Sequence, residues 1–432
     1  MFQNRVPGSF CARHVMRTGK NSKQETAEAG LGKGTRNMIS SRAGRFVQQP
    51  TGYSAFIPSP LPPNPAVDMG GDLSELLAGA SLALGRLDGA ASILPNPDLF
   101  VGMYVKQEAV LSSQIEGTQA SLTDVLQFDI GEGGEERRVD VEEVVNYVAA
   151  MKYGLARLAE LPLSLRLIRE IHAELMKGVR GQHRDPGEFR KTQNWIGAGS
   201  SRLQDASFVP PPPHELMRVL GDLEAFLHDR RLPTLVHAGL AHAQFETIHP
   251  FLDGNGRVGR LLVTFLLCES RILSQPLLYL SHYFKRRRAE YYDRLQAIRV
   301  DGAWEAWLGF FLRGVQEVAE DSAARARSIV ELRERSRELV SARGGRQVGH
   351  LQRAVDVLFK QPLATANSLM KDMGVAFTTA NTVAQKLSEL GLLEEETGYK
   401  RNRRFRFAPY LALFEDAPEG AAVVSDAAKT RG

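Results

Sequence analysis

The side chains with the clearest chemical potential lie within residues 249–260, which read His-Pro-Phe-Leu-Asp-Gly-Asn-Gly-Arg-Val-Gly-Arg. His249 could act as a general base, because the pKa of an imidazole ordinarily lies near neutral pH. Asp253 is a carboxylate that could hold Mg²⁺ beside substrate phosphates. Arg257 and Arg260 carry planar guanidinium groups that bind phosphate oxygens in pairs. These side chains together indicate a site for a polyphosphate and a metal next to a base.

Two helices must position this motif. Residues 234–248 carry apolar side chains that fit a buried helix, although their spacing is loose. From Val258 to Phe265 apolar residues recur at three- and four-residue spacing, which predicts a clearer amphipathic helix. The turn at 254–256 therefore opens onto a helix N-terminus. Unpaired backbone N–H groups and the positive end of the helix dipole make such a terminus a site for anions.

The motif resembles the signature of the Fic family, His-Pro-Phe-x-Asp/Glu-Gly-Asn-Gly-Arg-x-x-Arg, and every fixed position matches. The alternative is a helix–turn–helix corner with surface arginines, which needs no such combination of residues. The resemblance implies an all-α protein with a Fic helical core. It also implies transfer of AMP from ATP to a Ser, Thr or Tyr hydroxyl of a target protein, with His249 as the catalytic base.

The resemblance further assigns the ligands of the nucleotide. Asp253 would bind Mg²⁺, and the other signature residues would bind the phosphates of ATP: Gly254, Asn255, Gly256, Arg257 and Arg260. Asn255 and the loop amides would contact the α- and β-phosphates, whereas the arginines would contact the β- and γ-phosphates. ATP and Mg²⁺ are therefore the expected co-substrate and metal.

A second motif, Ser-Ser-Gln-Ile-Glu-Gly, occupies residues 112–117 near the end of a helix-like stretch, with Gly117 as its cap. Ser112 and Glu116 are four residues apart and share a helix face. In Fic proteins the pattern Ser/Thr-x-x-x-Glu-Gly/Asn marks an inhibitory helix whose glutamate pairs with the second signature arginine, here Arg260. A surface glutamate before a helix-ending glycine is the alternative. Beside an intact signature, we predict that Glu116 occupies the γ-phosphate position.

Residues 187–209 contain two short apolar pieces around a polar loop, a pattern that predicts a β-hairpin, and four prolines follow at 210–213. In the Fic family this hairpin is a flap whose edge pairs with the main chain of the target. Ile196, Gly197 and Val209 are the flap residues expected at the nucleotide. Trp195 fits either the flap or the core.

The paired tyrosines Tyr291 and Tyr292, with residues 280–283, match the region that lines the adenine pocket in Fic relatives. They could stack on a base or pack between helices. Some relatives carry Asn seven residues after the pair, whereas this chain has Arg299, so UTP, GTP and CDP-choline remain alternative donors. The same site could instead remove AMP, with Glu116 orienting a hydrolytic water.

The chain divides into six predicted regions: a disordered extension (1–44), an N-terminal helical region with the inhibitory motif (45–135), the Fic core (136–315), a linking helix (316–345), a winged helix-turn-helix (346–412) and a disordered tail (413–432). Residues 1–37 could also precede the true start at Met38. The linking helix could bridge domains or support a homodimer. The predicted wing, residues 392–407, interleaves basic and aromatic residues, which suits either DNA or a protein partner. A DNA-bound regulator with weak enzymatic activity is therefore a rival interpretation.

The composition adds few constraints. The 432 residues carry a formal net charge of +4, which is too modest to indicate nucleic acid binding by itself. No apolar run approaches the ~18 residues of a membrane span, and the N-terminus lacks the apolar segment of a secretion signal. The two cysteines form no disulfide framework. We therefore expect a cytoplasmic protein that does not enter a membrane.

Overall fold

The structure, a computed structural model, describes residues 42–92, 97–132, 134, 137–179, 183–197, 203–399 and 402–415. The helices among them are α1 (Asp72–Ser92), α2 (Pro97–Ile115), α3 (Leu122–Asp129), α4 (Arg138–Arg157), α5 (Leu165–Leu175), α6 (Pro213–Leu227), α7 (Thr234–Ile248), α8 (Asn255–Glu269), α9 (Ser281–Arg286), α10 (Arg288–Asp301), α11 (Trp304–Arg343), α12 (Val348–Lys360), α13 (Ala366–Met373), α14 (Phe377–Glu389) and α15 (Ala408–Leu411). The strands are β1 (Gly44–Gln48), β2 (Ser54–Pro58), β3 (Leu363–Thr365), β4 (Glu394–Glu395) and β5 (Arg404–Arg406).

The centre of the fold is α7, in which every residue from Leu235 to Ile248 is buried. A helix that is buried all round needs no polar face, which explains the loose apolar spacing of its sequence. Several of its buried polar side chains have hydrogen-bond partners, as buried polar groups generally do. His237 Nε2 bonds the carbonyl of Phe226, and Gln244 Nε2 donates to the carbonyl of Ser59. The helix predicted over 234–248 is confirmed.

The predicted boundary between a core ending at 315 and a linking helix over 316–345 falls inside one continuous helix. Helix α11 runs for 40 residues, or about 60 Å. Its first part carries Trp307 and Phe311 into the core beside α7. Its last part reaches the C-terminal segment, where Arg333 and Arg337 pair with Asp356 at 3.0 and 3.3 Å.

The region predicted as helical from residue 45 begins instead with an antiparallel hairpin of β1 and β2, in which Phe46 pairs with Phe56. The hairpin packs on the core, because the amide of Phe56 donates to the carbonyl of Val209. Residues 42–44, predicted as disordered, also belong to this packed region: Arg42 forms an ion pair with Glu305 at 2.6 Å. The rest of the predicted extension, residues 1–41, lies outside the described residues.

The C-terminal segment contains α12, α13 and α14 and a three-stranded antiparallel sheet in the order β3-β5-β4. Thr365 caps α13, and the left-handed Gly374 ends it, as the sequence predicts. These elements occupy the region expected to form a winged helix-turn-helix, and the assignment of that module stays a prediction.

The basic side chains of the predicted wing are largely neutralised by neighbours. Arg404 pairs with Glu396 at 2.6 Å, and Arg406 lies 3.4 Å from Glu415. Arg403 donates to the side chain of Asn381. Lys400 and Arg401 lie outside the described residues. Arg404 and Arg406 therefore face acidic side chains of the same segment, and binding of DNA or of a protein partner by the wing stays a prediction.

The C-terminal segment also packs on α2, the helix that leads to the inhibitory motif. Lys106 of α2 donates to Gln361 Oε1 at 3.3 Å, and Gln361 Nε2 donates to the carbonyl of Leu126 at 2.9 Å. The ring of Phe414 lies 5.5 Å from that of Tyr104. Phe414 is buried, which corrects the prediction that disorder begins at residue 413; residues 416–432 lie outside the described part.

Across the described ranges, no helix combines the length and the apolar character that crossing a membrane requires.

Candidate active site

Residues 249–254 form the predicted catalytic turn, which joins α7 to α8 through an unusual backbone conformation. His249 caps α7 with φ 50° and ψ 61°, a left-handed conformation that non-glycine residues rarely adopt. Gly254 precedes α8 with φ 76°, which glycine tolerates without a steric penalty. A Cβ at Gly254 would also lie only 3.0 Å from the sulfur of Met176. The turn is thus tightly enclosed, and it presents His249 to a cavity.

The environment of His249 favours the neutral imidazole. Its Nδ1 is buried and has no hydrogen-bond partner among the described residues. Burial, together with the nearby charges of Arg299 and Arg190, lowers the pKa of His249 to about 4, although Glu116 acts in the opposite direction. The ring is therefore unprotonated at neutral pH, which is the form that can accept a proton.

The buried Arg260 and the partly exposed Glu116 form an ion pair, with Arg260 Nη2 and Glu116 Oε1 2.7 Å apart. Ser112 completes the contact, because its hydroxyl accepts from Arg260 Nε at 2.8 Å and its carbonyl accepts from Nη2 at 2.9 Å. Burial alone would raise the pKa of Glu116, but the charge of Arg260 lowers it below its usual value. The structure therefore joins two motifs that lie 144 residues apart.

Glu116 reaches the first turn of α8 because residue 256 is glycine. A Cβ at Gly256 would lie 2.1 Å from Glu116 Oε1, closer than any real contact. The carboxylate therefore lies over the helix N-terminus, where an anion is stabilised by free N–H groups. Gly117, with φ 103°, turns the chain away directly after Glu116. This arrangement places one carboxylate where the sequence predicts a phosphate.

Arg257 is buried but incompletely paired. Its Nη1 lies 3.5 Å from Glu143 Oε2, and its Nη2 lies 3.6 Å from Asp253 Oδ1. Nε and Nη1 have no hydrogen-bond partner among the described residues. Since a buried guanidinium with unused donors is costly, this group is suited to a further anion such as a phosphate.

Asp253 fits the metal role predicted for it. Its carboxylate is 40% exposed, and one oxygen accepts from the amide of Gly254 at 2.6 Å. Among the described residues no three acidic, histidine or cysteine side chains converge on one point. A hard cation held by Asp253 would therefore take its other ligands from water and from substrate phosphates, as Mg²⁺ does.

The side chain of Asn255 helps to close the catalytic turn. Its oxygen accepts from the amide of Phe251, and its nitrogen donates to the carbonyl of Phe251, both at 2.8 Å. This contact uses one of the two N–H groups of the side-chain amide, and the phosphate contact of Asn255 stays a prediction.

The flap is shorter than the predicted β-hairpin. Within the described residues it consists of one antiparallel bridge, with Ile196 and Phe208 exchanging hydrogen bonds at 2.8 and 3.0 Å. Residues 198–202 lie outside the described part. Val209 does not face the nucleotide cavity, because it is buried and its carbonyl is held by Phe56 of β2. The partner strand β2, which the sequence analysis missed, thus limits the extent of the flap.

A cavity of about 630 Å³ contains part of the predicted site. It is lined by Glu116, Trp195, Ile196, Gly197, Ser207, Phe208, Glu246, His249, Gly256, Arg260, Arg288, Tyr291, Tyr292, Asp293, Leu295, Gln296 and Arg299. The volume lies in the range of small-molecule sites in proteins. Glu116 and His249 therefore share one space with Arg260, two flap residues and both tyrosines.

The two tyrosines differ in what they can contact. Tyr292 is 38% exposed, so its ring is accessible to a base. Tyr291 is 1% exposed and its hydroxyl bonds His242 Nε2 at 2.9 Å, so it mainly supports the cavity wall. Arg299 is likewise engaged, because its Nη2 donates to the carbonyl of Glu246 and its guanidinium lies over the ring of Phe208. The described residues 280–283 do not line the cavity.

Sequence reasoning missed Glu246, which precedes the signature by three residues. Its side chain is buried, and Oε1 has no hydrogen-bond partner among the described residues. Burial raises its pKa from 4.5 to about 7, with Arg260 opposing the shift and Glu116 adding to it. Since the folded protein binds this proton more tightly, Glu246 stabilises the fold below pH 4.5, and this contribution is lost as the pH rises through about 7.

We therefore expect Glu246→Gln to flatten the pH dependence of thermal stability. Between about pH 5 and about pH 8 the melting temperature of the variant should fall less than that of the wild type, because glutamine cannot ionise. Thermal unfolding across this range measures the effect, with the exposed Glu160→Gln as control. Parallel curves for wild type and Glu246→Gln would show that Glu246 does not titrate as described.

Comparison with known proteins finds two family matches. Residues 74–156 match the family described as Fic/DOC family N-terminal, and residues 162–267 match the Fic/DOC family. The chain is 34% identical over 161 residues to the protein adenylyltransferase Fic of Drosophila grimshawi, covering 36% of this chain and 29% of that protein. It is 33% identical over 162 residues to the protein of the same name from Aedes aegypti, covering 36% and 28%.

The chain thus spans less than a third of the length of these curated relatives. Among solved structures, a Fic family protein from Desulfovibrio desulfuricans G20 is similar with a TM-score of 0.49 and 20% identity, covering 77% of this chain and 95% of that chain.

Proposed function

We propose that this chain, which matches the Fic/DOC family over residues 74–156 and 162–267, is a protein adenylyltransferase restrained by its own Glu116. It would move AMP from ATP to a Ser, Thr or Tyr hydroxyl of a target protein. The observation that carries this proposal is the 2.7 Å contact of Glu116 with Arg260, in the cavity that also contains His249. The curated relatives named protein adenylyltransferase Fic support the reaction class.

The transfer requires a base beside a phosphate site. Neutral His249 would take the proton of the target hydroxyl while the oxygen attacks the α-phosphorus. The bond from the α-phosphorus to the oxygen that bridges to the β-phosphate breaks, and pyrophosphate leaves. Arg257, Arg260 and the N-terminus of α8 would stabilise the charge that develops on the leaving group. A Mg²⁺ ion on Asp253 would neutralise part of the phosphate charge.

Glu116 restrains this reaction by competing with the nucleotide. Its carboxylate uses a donor of Arg260 and lies against the first turn of α8, the two places suited to a terminal phosphate. Two anions cannot share this space without strong repulsion. ATP would therefore bind without its γ-phosphate correctly held, or would have to displace the end of α2.

The experiment that tests the proposal is labelling with α-³²P nucleotides and Mg²⁺. The purified Glu116→Gly variant is incubated with ATP, GTP, UTP or CTP, and label on protein is measured by autoradiography. We expect ATP to label most strongly, because the curated relatives are named protein adenylyltransferase Fic. Stronger labelling by another nucleotide would replace ATP as donor. Absence of label from ATP, with release of AMP from a modified protein by the wild type, in which Glu116 can orient a hydrolytic water, would instead support hydrolytic removal of AMP.

A further inference from the structure

Four consecutive carbonyl groups of the catalytic turn are held by one short segment, residues 190–194. Arg190 Nη2 donates to the carbonyl of Ile248 at 3.4 Å, and Arg190 Nε donates to that of His249 at 3.0 Å. The backbone amide of Arg190 donates to the carbonyl of Pro250 at 2.9 Å. Asn194 Nδ2 donates to the carbonyls of His249 and Phe251 at 3.2 and 2.9 Å.

The turn needs such support for two reasons. The last carbonyls of a helix lack partners within the helix, and those of α7 are buried, so they must find donors elsewhere. In addition, the left-handed backbone of His249 costs about 1–3 kcal/mol and persists only where the surroundings fix it. The segment 190–194 supplies both the donors and the fixation.

Arg190 is buried, and among the described residues its side chain hydrogen-bonds only to backbone carbonyls. The residue is 2% exposed. Burial lowers the pKa of Arg190 to about 10, so the group remains charged at neutral pH. A buried cation surrounded by carbonyls is costly to maintain. Its hydrogen bonds repay that cost only while the turn keeps its shape.

The same guanidinium also reaches the returning side of the flap. Arg190 Nη2 donates to the carbonyl of Pro211 at 2.6 Å, and Gln193 Nε2 donates to that of Pro210 at 3.0 Å. Residues 190–194 lead directly into the flap bridge at Ile196. The flap, which would hold the target, and the turn, which holds the base, are therefore connected through one side chain.

We propose that Arg190 and Asn194 are positioning residues, which fix the backbone of His249 and set the distance of its ring from a hydroxyl held at the flap. The inference rests on the proposed function in one respect, that His249 is the base. Neither residue is among those that line the cavity containing His249 and Arg260. Their effect on catalysis is exerted through the carbonyl of His249.

The test compares Asn194→Ala, Arg190→Lys and Arg190→Gln in the Glu116→Gly background. Arg169→Lys is the matched control, because Arg169 Nε donates to the carbonyl of Gly187 in the neighbouring segment and does not touch residues 248–251. Self-labelling at varied ATP gives kcat and KM separately. In parallel, the ring of His249 is titrated by NMR in nucleotide-free protein with isotope-labelled histidine, assigned with His249→Gln.

We expect Asn194→Ala and Arg190→Gln to lower kcat by about tenfold to a hundredfold, as a misplaced base does, while KM for ATP changes little. Arg190→Lys should recover part of kcat, since it keeps the charge and one donor. In Asn194→Ala the released turn admits water, so the pKa of His249 should move up towards the usual range. Arg169→Lys should leave both measurements unchanged.

Unchanged kcat in Asn194→Ala and Arg190→Lys would overturn the proposal. A loss of kcat that accompanies unfolding in Arg190→Gln is separated from a positioning effect by Asn194→Ala, which keeps the guanidinium. If Glu116→Gly itself transfers no AMP, the proposed function fails, and the ring titration still decides the present inference. An unchanged titration of His249 in Asn194→Ala would then refute it.

Discussion

Replacement of His249 by alanine should abolish AMP transfer while nucleotide binding persists. The loss should reach about 10²–10⁴-fold, the usual contribution of a general base. No other imidazole among the cavity-lining residues can take over the proton. The fold should tolerate the change, because the backbone of residue 249 is held through its carbonyl by Arg190 and Asn194.

The measurement is label transfer from α-³²P-ATP in the Glu116→Gly background, with nucleotide affinity determined by calorimetry. The exposed His350→Ala serves as control for the loss of an imidazole elsewhere. If label transfer by the His249→Ala form equals that of its parent, His249 is not the base. Equal loss of binding and transfer would assign His249 to nucleotide binding.

Glu116→Gly should raise self-labelling by more than tenfold relative to wild type. Removal of the carboxylate leaves Arg260 bonded to Ser112 through Nε and Nη2, and the N–H of Nη2 that Glu116 used becomes free for a γ-phosphate. Loss of Glu116 leaves the buried guanidinium of Arg260 without its anion, which favours a bound nucleotide. A tenfold change corresponds to about 1.4 kcal/mol, which is modest for a contact with a buried guanidinium.

Glu160→Gly is the matched control, because Glu160 also follows a helix end and pairs with an arginine, Arg157, outside the cavity. It should label no better than wild type. The double variant Glu116→Gly/His249→Ala should show no label, which separates relief of inhibition from a new activity. If Glu116→Gly labels no more strongly than wild type, Glu116 does not inhibit, whatever its contact with Arg260.

The sequence predicted the parts of the site that are local. A turn that follows α7 and opens onto α8 can be read from adjacent residues, because its chemistry depends on neighbours in the chain. The contact of Glu116 with Arg260 is long-range, and only the family resemblance made it predictable. Periodicity alone places Glu116 on a helix face and says nothing about which helix it meets.

Other features of the site and fold were not predicted, because their sequence signals are weak. Arg190 and Asn194 stand in a segment that reads as a polar strand, and nothing in it indicates carbonyl groups 55 to 59 residues away as their partners. The β1–β2 hairpin has only five residues on each side. The bonds of the Asn255 side chain to Phe251 were not predicted, because composition does not show which backbone groups of a turn a side chain meets.

The packing of the C-terminal segment on α2 has a thermodynamic consequence for regulation. Gln361 hydrogen-bonds both to Lys106 of α2 and to the carbonyl of Leu126, and Phe414 packs against Tyr104 of α2. Movement of α2, the helix that leads to Glu116, must therefore disturb this interface. Linkage is reciprocal: a ligand that loosens the C-terminal segment from α2 would favour ATP binding, and ATP would favour that ligand by the same factor. A signal received some distance from the phosphate site can therefore be expressed as a change in nucleotide affinity.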